Sequence, residues 1–204
     1  MEQAAGQRGR GGSSLRRWFA ASAVPAALAL GAARSTAQDP ARPSTVAESV
    51  TVVPGPIYRT GALGRFFYGE HYRNLWTAPL TVPVLSLDQY AGGLRPLERG
   101  GSQQTKSLRF SGADGREYVF RSIDKDPSPS LPPELRGTYA RHVLRDLISA
   151  QHPGGSLVVA RLLDAAGVLH STPQLAVMPD DPRLGEFRQE FAGMLGLTAA
   201  AGRG

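Results

Sequence analysis

The sequence of 204 residues contains no cysteine. Disulfide bonds, zinc sites built on thiolates, cysteine nucleophiles and a lipidated cysteine are therefore excluded. Lysine is nearly absent as well, since Lys106 and Lys125 are the only two among 23 basic residues. A fold that forms without disulfides must depend on the packing of its apolar residues, which make up 41% of the chain.

Long hydrophobic runs are scarce too, and the longest extends from Trp18 to Ala33. A membrane-spanning helix needs about 20 strongly apolar residues, whereas this run is shorter, rich in alanine and interrupted by Pro25. A basic segment that includes Arg16 and Arg17 precedes it, and small residues up to Ala37 follow. This order predicts a signal peptide over residues 1–37 and cleavage after Ala37.

Such cleavage would leave an exported protein without a transmembrane segment, located in the periplasm, at the outer membrane or outside the cell. The paired arginines leave both the general secretory and the twin-arginine route open. Removal of residues 1–37 takes away five arginines and Glu2, so the net charge falls from +6 to +2. No basic stripe with interleaved aromatic residues follows, and we expect no nucleic-acid partner.

Motifs of the common catalytic classes are missing. The segment 100–107, GGSQQTKS, ends like a P-loop, but Thr105 replaces the required glycine and a strand, not a helix, is predicted to follow. The chain has no G-x-S-x-G motif, and its four histidines show no H-E-x-x-H spacing. The sequence therefore assigns no catalytic residue, metal site or cofactor, and leaves open whether the chain is an enzyme.

Two strand patterns surround a strong turn signal. Apolar and polar residues alternate from Lys106 to Ser111, and the run from Glu117 to Ser122 is rich in aromatic and β-branched residues. Between them, Asp114-Gly115 supplies the positive φ that a tight reversal needs. The sequence predicts a β-hairpin over residues 106–122.

Helical periodicity follows the hairpin. The first predicted helix places Tyr139, Val143 and Leu147 against the hairpin residues Phe110, Tyr118 or Phe120. A second helix ends at Gly167, a short strand follows near 174–178, and a third helix starts at Pro182. The predicted fold is α+β, with a small antiparallel sheet packed against three helices over residues 61–196. A flexible linker is predicted over 38–60, with the β-prone run Val50–Val53 as a candidate edge strand within it. A disordered tail is predicted over 197–204.

Aromatic residues concentrate in the segment ALGRFFYGEHYRNLW, residues 62–76. One interpretation is a short helix or ordered loop that plugs an edge of the core. The alternative is an interaction surface for another domain or a membrane interface. The candidate surface residues are Phe66, Phe67, Tyr68, Tyr72 and Trp76.

Six successive segments, RFFYGEHYRNLW, GGSQQTKSLRF, EYVFRSIDKDP, LRDLISAQHP, LLDAAGVLHSTPQL and PDDPRLGEF, resemble a block found in large exported bacterial proteins. There the block accompanies calcineurin-like metallophosphoesterase domains or outer-membrane surface-antigen barrels. The resemblance covers about residues 56–195 and implies a partner, either a C-terminal domain missing from this chain or another envelope protein. None of the phosphoesterase metal-ligand motifs occurs here. Together with the featureless end LGLTAAAGRG, the resemblance to this block predicts a truncated chain.

The predicted order of elements also resembles the N-terminal lobe of an atypical protein kinase. Under that resemblance Arg121 stands where a kinase keeps its phosphate-binding lysine, Asp146 is its acidic partner, and Lys106 completes the candidate nucleotide site. Arginine replaces lysine, however, and no G-x-G-x-x-G loop or catalytic loop is present. Two hypotheses follow: a non-catalytic association module, and a nucleotide-binding lobe that needs a second lobe for phosphotransfer.

Overall fold

The computed structural model describes residues 48–101 and 104–201. The predicted signal peptide, the first part of the predicted linker and the last three residues of the predicted tail lie outside the described residues. The described chain is α+β, as predicted. The strands are β1 (Ser49–Val52), β2 (Leu80–Pro83), β3 (Leu94–Gly100), β4 (Ser107–Gly112), β5 (Glu117–Ser122), β6 (Gln174–Val177) and β7 (Leu195–Ala200). The α-helices are α1 (Ala62–Tyr68), α2 (Arg73–Thr77), α3 (Tyr139–Asp146), α4 (Gly155–Ala165) and α5 (Arg188–Phe191).

Five of the strands form one antiparallel sheet in the order β3, β4, β5, β7, β6. β1 and β2 form a separate antiparallel pair. The predicted hairpin is present as β4 and β5, and its turn is fixed as the sequence indicates. Gly115 has a φ of +77°, and one carboxylate oxygen of Asp114 accepts a 2.5 Å hydrogen bond from the Tyr118 hydroxyl.

The prediction of a disordered tail from residue 197 is wrong for the described part of that segment, because β7 pairs with both β5 and β6. Its small residues suit this position. Gly196 lies against the ring of Phe120, where a Cβ would collide with the ring, and Thr198 is fully buried. On the face of β7 toward Phe120 the residues are therefore small, whereas Leu195 and Leu197 point to the other face.

Within the predicted linker, the β-prone run at Val50–Val53 corresponds to the strand β1 (Ser49–Val52), whereas the structure after it is more regular than a linker. Val50 and Val52 pair with Val82 and Leu80 in the two-stranded sheet. Further along, a 3-10 turn at Pro56–Tyr58 places the Tyr58 ring in the core. The pairing of β1 with β2 and the burial of the Tyr58 ring order a segment whose prolines predicted a linker.

Buried side chains form one cluster on each face of the five-stranded sheet, because alternate residues of a strand point to opposite faces. The first cluster includes the hairpin residues and is covered by the segments that follow β2 and β6. Its largest members are Phe110, Tyr118, Phe120, Met178, Leu184 and Phe191. The second cluster contains Tyr58, Trp76, Ile123 and Ile148, packed against Leu175, Leu195 and Leu197.

The prediction that Tyr139, Val143 and Leu147 face the hairpin is wrong. No residue of α3 is buried within the described structure, and both Tyr139 and Leu147 are more than half exposed. The helix tightens into a 3-10 turn at Leu147–Ala150, which rotates Ile148 inward in place of Leu147. Segments after β2 and β6 cover the hairpin instead.

The third predicted helix is mostly a 3-10 segment, Pro182–Phe187, followed by the four-residue α5. Gly185, at a φ of +55°, interrupts regular helical geometry. Leu184 and Phe191 are nevertheless buried in the first cluster, with Phe187 and Met194 packed against it, so the predicted apolar stripe does face the core.

Neighbouring residues of the 3-10 turn after α3 provide a test of this packing. We expect Ile148→Ala to reduce the free energy of unfolding by about 2–5 kcal/mol, since Ile148 is buried in the second cluster. Leu147→Ala, the matched control, is expected to cost less than about 1 kcal/mol because its side chain is exposed. Urea unfolding of both variants measures the difference, and a larger loss for Leu147→Ala would contradict the assignment.

Candidate functional site

The three residues of the predicted nucleotide site do not come together. Arg121 is exposed on β5, and alternation places it with Val119 on the face opposite Phe120. Lys106 is on the other face, where its Nζ lies 3.4 Å from an Oε1 of Glu190, next to Phe191 of the first cluster. Within residues 48–101 and 104–201, Arg121 makes no ion pair.

Asp146 binds Arg73 rather than Arg121. Nη1 and Nη2 of Arg73 donate to the two carboxylate oxygens of Asp146 at 2.7 and 2.6 Å. The guanidinium also donates to the carbonyls of Gly69 and Tyr58, and only 2% of Arg73 is exposed. The hydrogen bond to Asp146 raises the pKa of Arg73 above its ordinary value. Both oxygens of the predicted acidic partner are therefore already occupied by a structural ion pair.

A second polar network lies beside this ion pair. The buried Tyr58 hydroxyl donates to Asp124 at 2.5 Å, and Arg145 donates to the other oxygen of Asp124 and to the Lys125 carbonyl. Arg145 also stacks over the Tyr58 ring, 5.8 Å from its centroid. Burial, followed by the hydrogen bond to Asp124, raises the pKa of Tyr58. These contacts fix the Tyr58 ring and engage the guanidinium of Arg145.

The stability of variants separates a structural pair from a ligand site. We expect Asp146→Ala to destabilise the fold by about 3–5 kcal/mol, because it leaves the buried Arg73 charge without its counterion. Arg121→Ala, as the exposed control, is expected to stay within about 0.5 kcal/mol of the parent chain. Thermal and urea unfolding test both values. A loss for Arg121→Ala as large as that for Asp146→Ala would mean that Arg121 has a structural partner.

One pair of side chains resembles a nucleophile and its base. His71 Nδ1 lies 2.9 Å from Ser149 Oγ, on a histidine whose φ of +49° is unusual. Ser149 is fully buried, however, and its carbonyl accepts the amide of Tyr72. A substrate cannot reach this hydroxyl, so the pair fastens the loop before α2 and does not form a nucleophilic site.

The predicted aromatic surface divides into a buried and an exposed part. Trp76 is buried in the second cluster, donates its indole N–H to the Gln151 carbonyl at 2.8 Å and meets Tyr58 edge to face. Its assignment to an interaction surface is therefore wrong. Tyr72 is partly exposed and contacts the ring of His152, and Tyr68 is half-buried.

The exposed part is α1, which buries none of its residues in the part of the chain that the structure describes. Phe66 is 82% exposed, Phe67 69% and Leu63 72%. The two phenylalanine rings contact each other edge to face at 5.2 Å. We call Leu63, Phe66 and Phe67 the aromatic ridge. Leu63 was not predicted, although its spacing of three and four residues from the phenylalanines places it on their side of a helix.

A recess of about 210 Å³ lies next to the half-buried side of α1, where Tyr68 lines it. The ridge residues are not part of its lining, which also includes Ile57, Arg59, Tyr139 and His142. Pockets for drug-sized ligands and cofactors usually hold about 300–1,000 Å³. This recess is smaller than that range.

Two other kinds of site are absent from the described residues. No group of three histidine, aspartate or glutamate side chains there is arranged to hold a metal ion. Nor is any helix between residues 48 and 201, outside the gap at 102–103, long and apolar enough to cross a bilayer.

Comparisons with protein-family models, with curated proteins and with solved structures give no match. The resemblances described from the sequence therefore stay predictions.

Proposed function

We propose that this chain is an exported, non-catalytic module that associates with another protein or domain of the bacterial envelope through the aromatic ridge. The observation that supports the proposal is the exposure of Leu63, Phe66 and Phe67 on a helix with no buried residue. Export rests on the N-terminal sequence pattern, and the envelope setting rests on the resemblance to exported bacterial proteins.

Three adjacent large apolar side chains are costly to keep in water. Burial of each by a partner contributes about 1.5–3 kcal/mol, and aromatic residues are enriched among the few that dominate binding energy.

Charged residues on α1 and just before it indicate the chemistry of the partner. Arg59 lines the recess, is exposed, and makes no ion pair with any residue that the structure describes. Arg65 lies on α1 itself and forms an ion pair with Glu70, in which Arg65 Nε lies 3.4 Å from Glu70 Oε2. We infer a protein partner with an apolar groove that is bordered by carboxylates, since such a groove complements both the rings and the arginine.

Substitution of the ridge tests this proposal. A photoreactive residue at position 63 of the exported chain is expected to form one discrete crosslinked product in intact cells. The same photoreactive residue in place of Glu117 is expected to form no such product. With the partner identified by mass spectrometry and purified, the double variant Phe66→Ser and Phe67→Ser should weaken binding by about 100-fold or more, because both rings lose their burial. Leu97→Ser is the matched control, since Leu97 is exposed on β3.

Arg59→Glu should weaken the same complex and make it less sensitive to salt. The proposal would be contradicted if the double phenylalanine variant bound the partner with the affinity of the parent chain. It would also be contradicted if phospholipid vesicles were the only binding partner and bound the parent and the variant equally. Circular dichroism should be the same for all variants, because these side chains lie outside both buried clusters.

A nucleotide-binding lobe of the kinase type is the second candidate. It is supported by the order of elements along the chain, which is the hairpin, Arg121 on β5, the helices, and then β6 and β7. The arrangement of the candidate residues gives it less support, because Lys106 faces Glu190 and Asp146 binds Arg73.

Titration distinguishes the two candidates. We expect no saturable heat from ATP with magnesium at up to millimolar concentration, because an exposed arginine alone contributes little to phosphate binding in water. Isothermal titration of the parent chain and of Arg121→Ala measures this directly. Magnesium-dependent binding that is weakened by Arg121→Ala would favour the nucleotide-binding lobe instead.

A further inference from the structure

A second cavity lies at the start of β3 and shares no lining residue with the recess next to α1. Its volume is about 440 Å³, which is within the range of pockets that hold small ligands. Three separate parts of the chain line it: residues 87–95, the hairpin residues 111–113, and Arg183 in the 3-10 segment after β6. Leu87 and Leu94, both buried in the first cluster, belong to this lining.

The wall that precedes β3 has an unusual backbone. Ala91, Gly92 and Gly93 have successive positive φ angles of 52°, 75° and 125°, and alanine rarely adopts such a φ. A strained conformation of this kind persists only where surrounding contacts hold it. Here the amide of Ala113 donates to the Gly93 carbonyl at 2.9 Å, and the amide of Asp114 to the Ala91 carbonyl at 3.3 Å. Backbone hydrogen bonds therefore join this wall to the hairpin turn, and the cavity is formed before any ligand binds.

Arg183 provides the remaining wall and is held by its own turn. Its Nε and Nη2 donate to the two carboxylate oxygens of Asp181 at 3.0 and 2.5 Å. Its Nη1 contacts Oδ1 of Asp88, which also lines the cavity. Because Asp181 already supplies a counterion for Arg183, the charges of the lining that remain for a ligand are those of Asp88 and Arg95.

Arg95 and Asp88 give the cavity one cationic and one anionic side chain. Arg95 pairs with Ser111 across the strands, so the two side chains point to the same face of the sheet. Arg95 is exposed and makes no ion pair with any residue that the structure describes. The Asp88 side chain is 69% exposed. A free guanidinium is suited to bind a carboxylate through two parallel hydrogen bonds, and a carboxylate accepts hydrogen bonds from an ammonium group.

These opposite charges select the chemistry of the ligand. A ligand with anionic groups alone would be attracted by Arg95 and repelled by Asp88, and a diamine would meet the reverse. A molecule that carries both a carboxylate and an ammonium group complements both side chains. The glycines and leucines of the lining offer it space and apolar contact between the two charges.

We propose that this cavity binds a small zwitterionic ligand of the amino-acid type, with Arg95 holding the carboxylate and Asp88 the ammonium group. The site is separate from the aromatic ridge, and its test requires no envelope partner.

Nuclear magnetic resonance titration of the isotope-labelled full chain tests the proposal. The probes are glycine, β-alanine and γ-aminobutyrate, in which the distance between the two charges increases. At least one of them should shift the amide signals of Gly92, Gly93 and Ala113 saturably, with a dissociation constant in the millimolar range or below. Propionate and propylamine, which carry one charge each, should bind at least about tenfold more weakly. Absence of saturable shifts with all three amino acids, or equal binding of propionate, would overturn the proposal.

Substitution of each charge tests the two ends of the site separately. Arg95→Gln and Asp88→Asn should each raise the dissociation constant of the best amino acid at least about tenfold, because each variant loses one charge pair. Asp88→Asn alone should also strengthen the binding of succinate, since the repulsion of its second carboxylate is removed. Arg161→Gln is the control, because Arg161 is an exposed arginine on α4 outside the lining. Parent affinity in either cavity variant would overturn the assignment.

A variant without a charge change tests the location of the site. Ala113 is exposed and lines the cavity, so Ala113→Phe should reduce the available space while the fold is retained. The affinity for the best amino acid should fall at least about fivefold, and amide signals outside the lining should stay in place. Unchanged affinity would place the ligand elsewhere and would overturn the proposal.

Discussion

The buried ion pair between Arg73 and Asp146 is the contact on which the second face of the sheet depends. It joins α2 to the end of α3, two elements far apart in sequence, while Arg73 also holds the carbonyls of Tyr58 and Gly69. A buried charge of this kind is tolerated only when its partner and its hydrogen bonds are all in place. Its geometry therefore fixes the whole segment from Tyr58 to Trp76 over the leucines of β6 and β7.

This anchoring explains how an unburied helix can have a defined position. α1 begins after Tyr58, which is held by Asp124, and ends before Arg73, which is held by Asp146. The two anchors constrain both ends, and Gly69 with its positive φ turns the chain out of the helix. A ridge that is held in place in the free protein loses little conformational entropy on binding, and such preorganisation favours affinity.

Local signals in the sequence were sufficient for the hairpin and the fold class. Asp114-Gly115 and the alternation around Phe110 act over a few residues, and the structure reproduces both. β3 and β7 were missed because Pro96 and the charges around it, or the small residues near Gly196, give weak strand propensity, and their pairing with β4 and β5 decides the outcome.

The site was harder to predict than the fold, for a related reason. Trp76 and Phe66 belong to one aromatic segment, yet Trp76 is buried and donates to the distant carbonyl of Gln151, whereas Phe66 is exposed. Asp146 was predicted to pair with Arg121, but it binds Arg73 instead. Contacts of 70 or more residues in sequence separation leave no periodic trace in a single sequence.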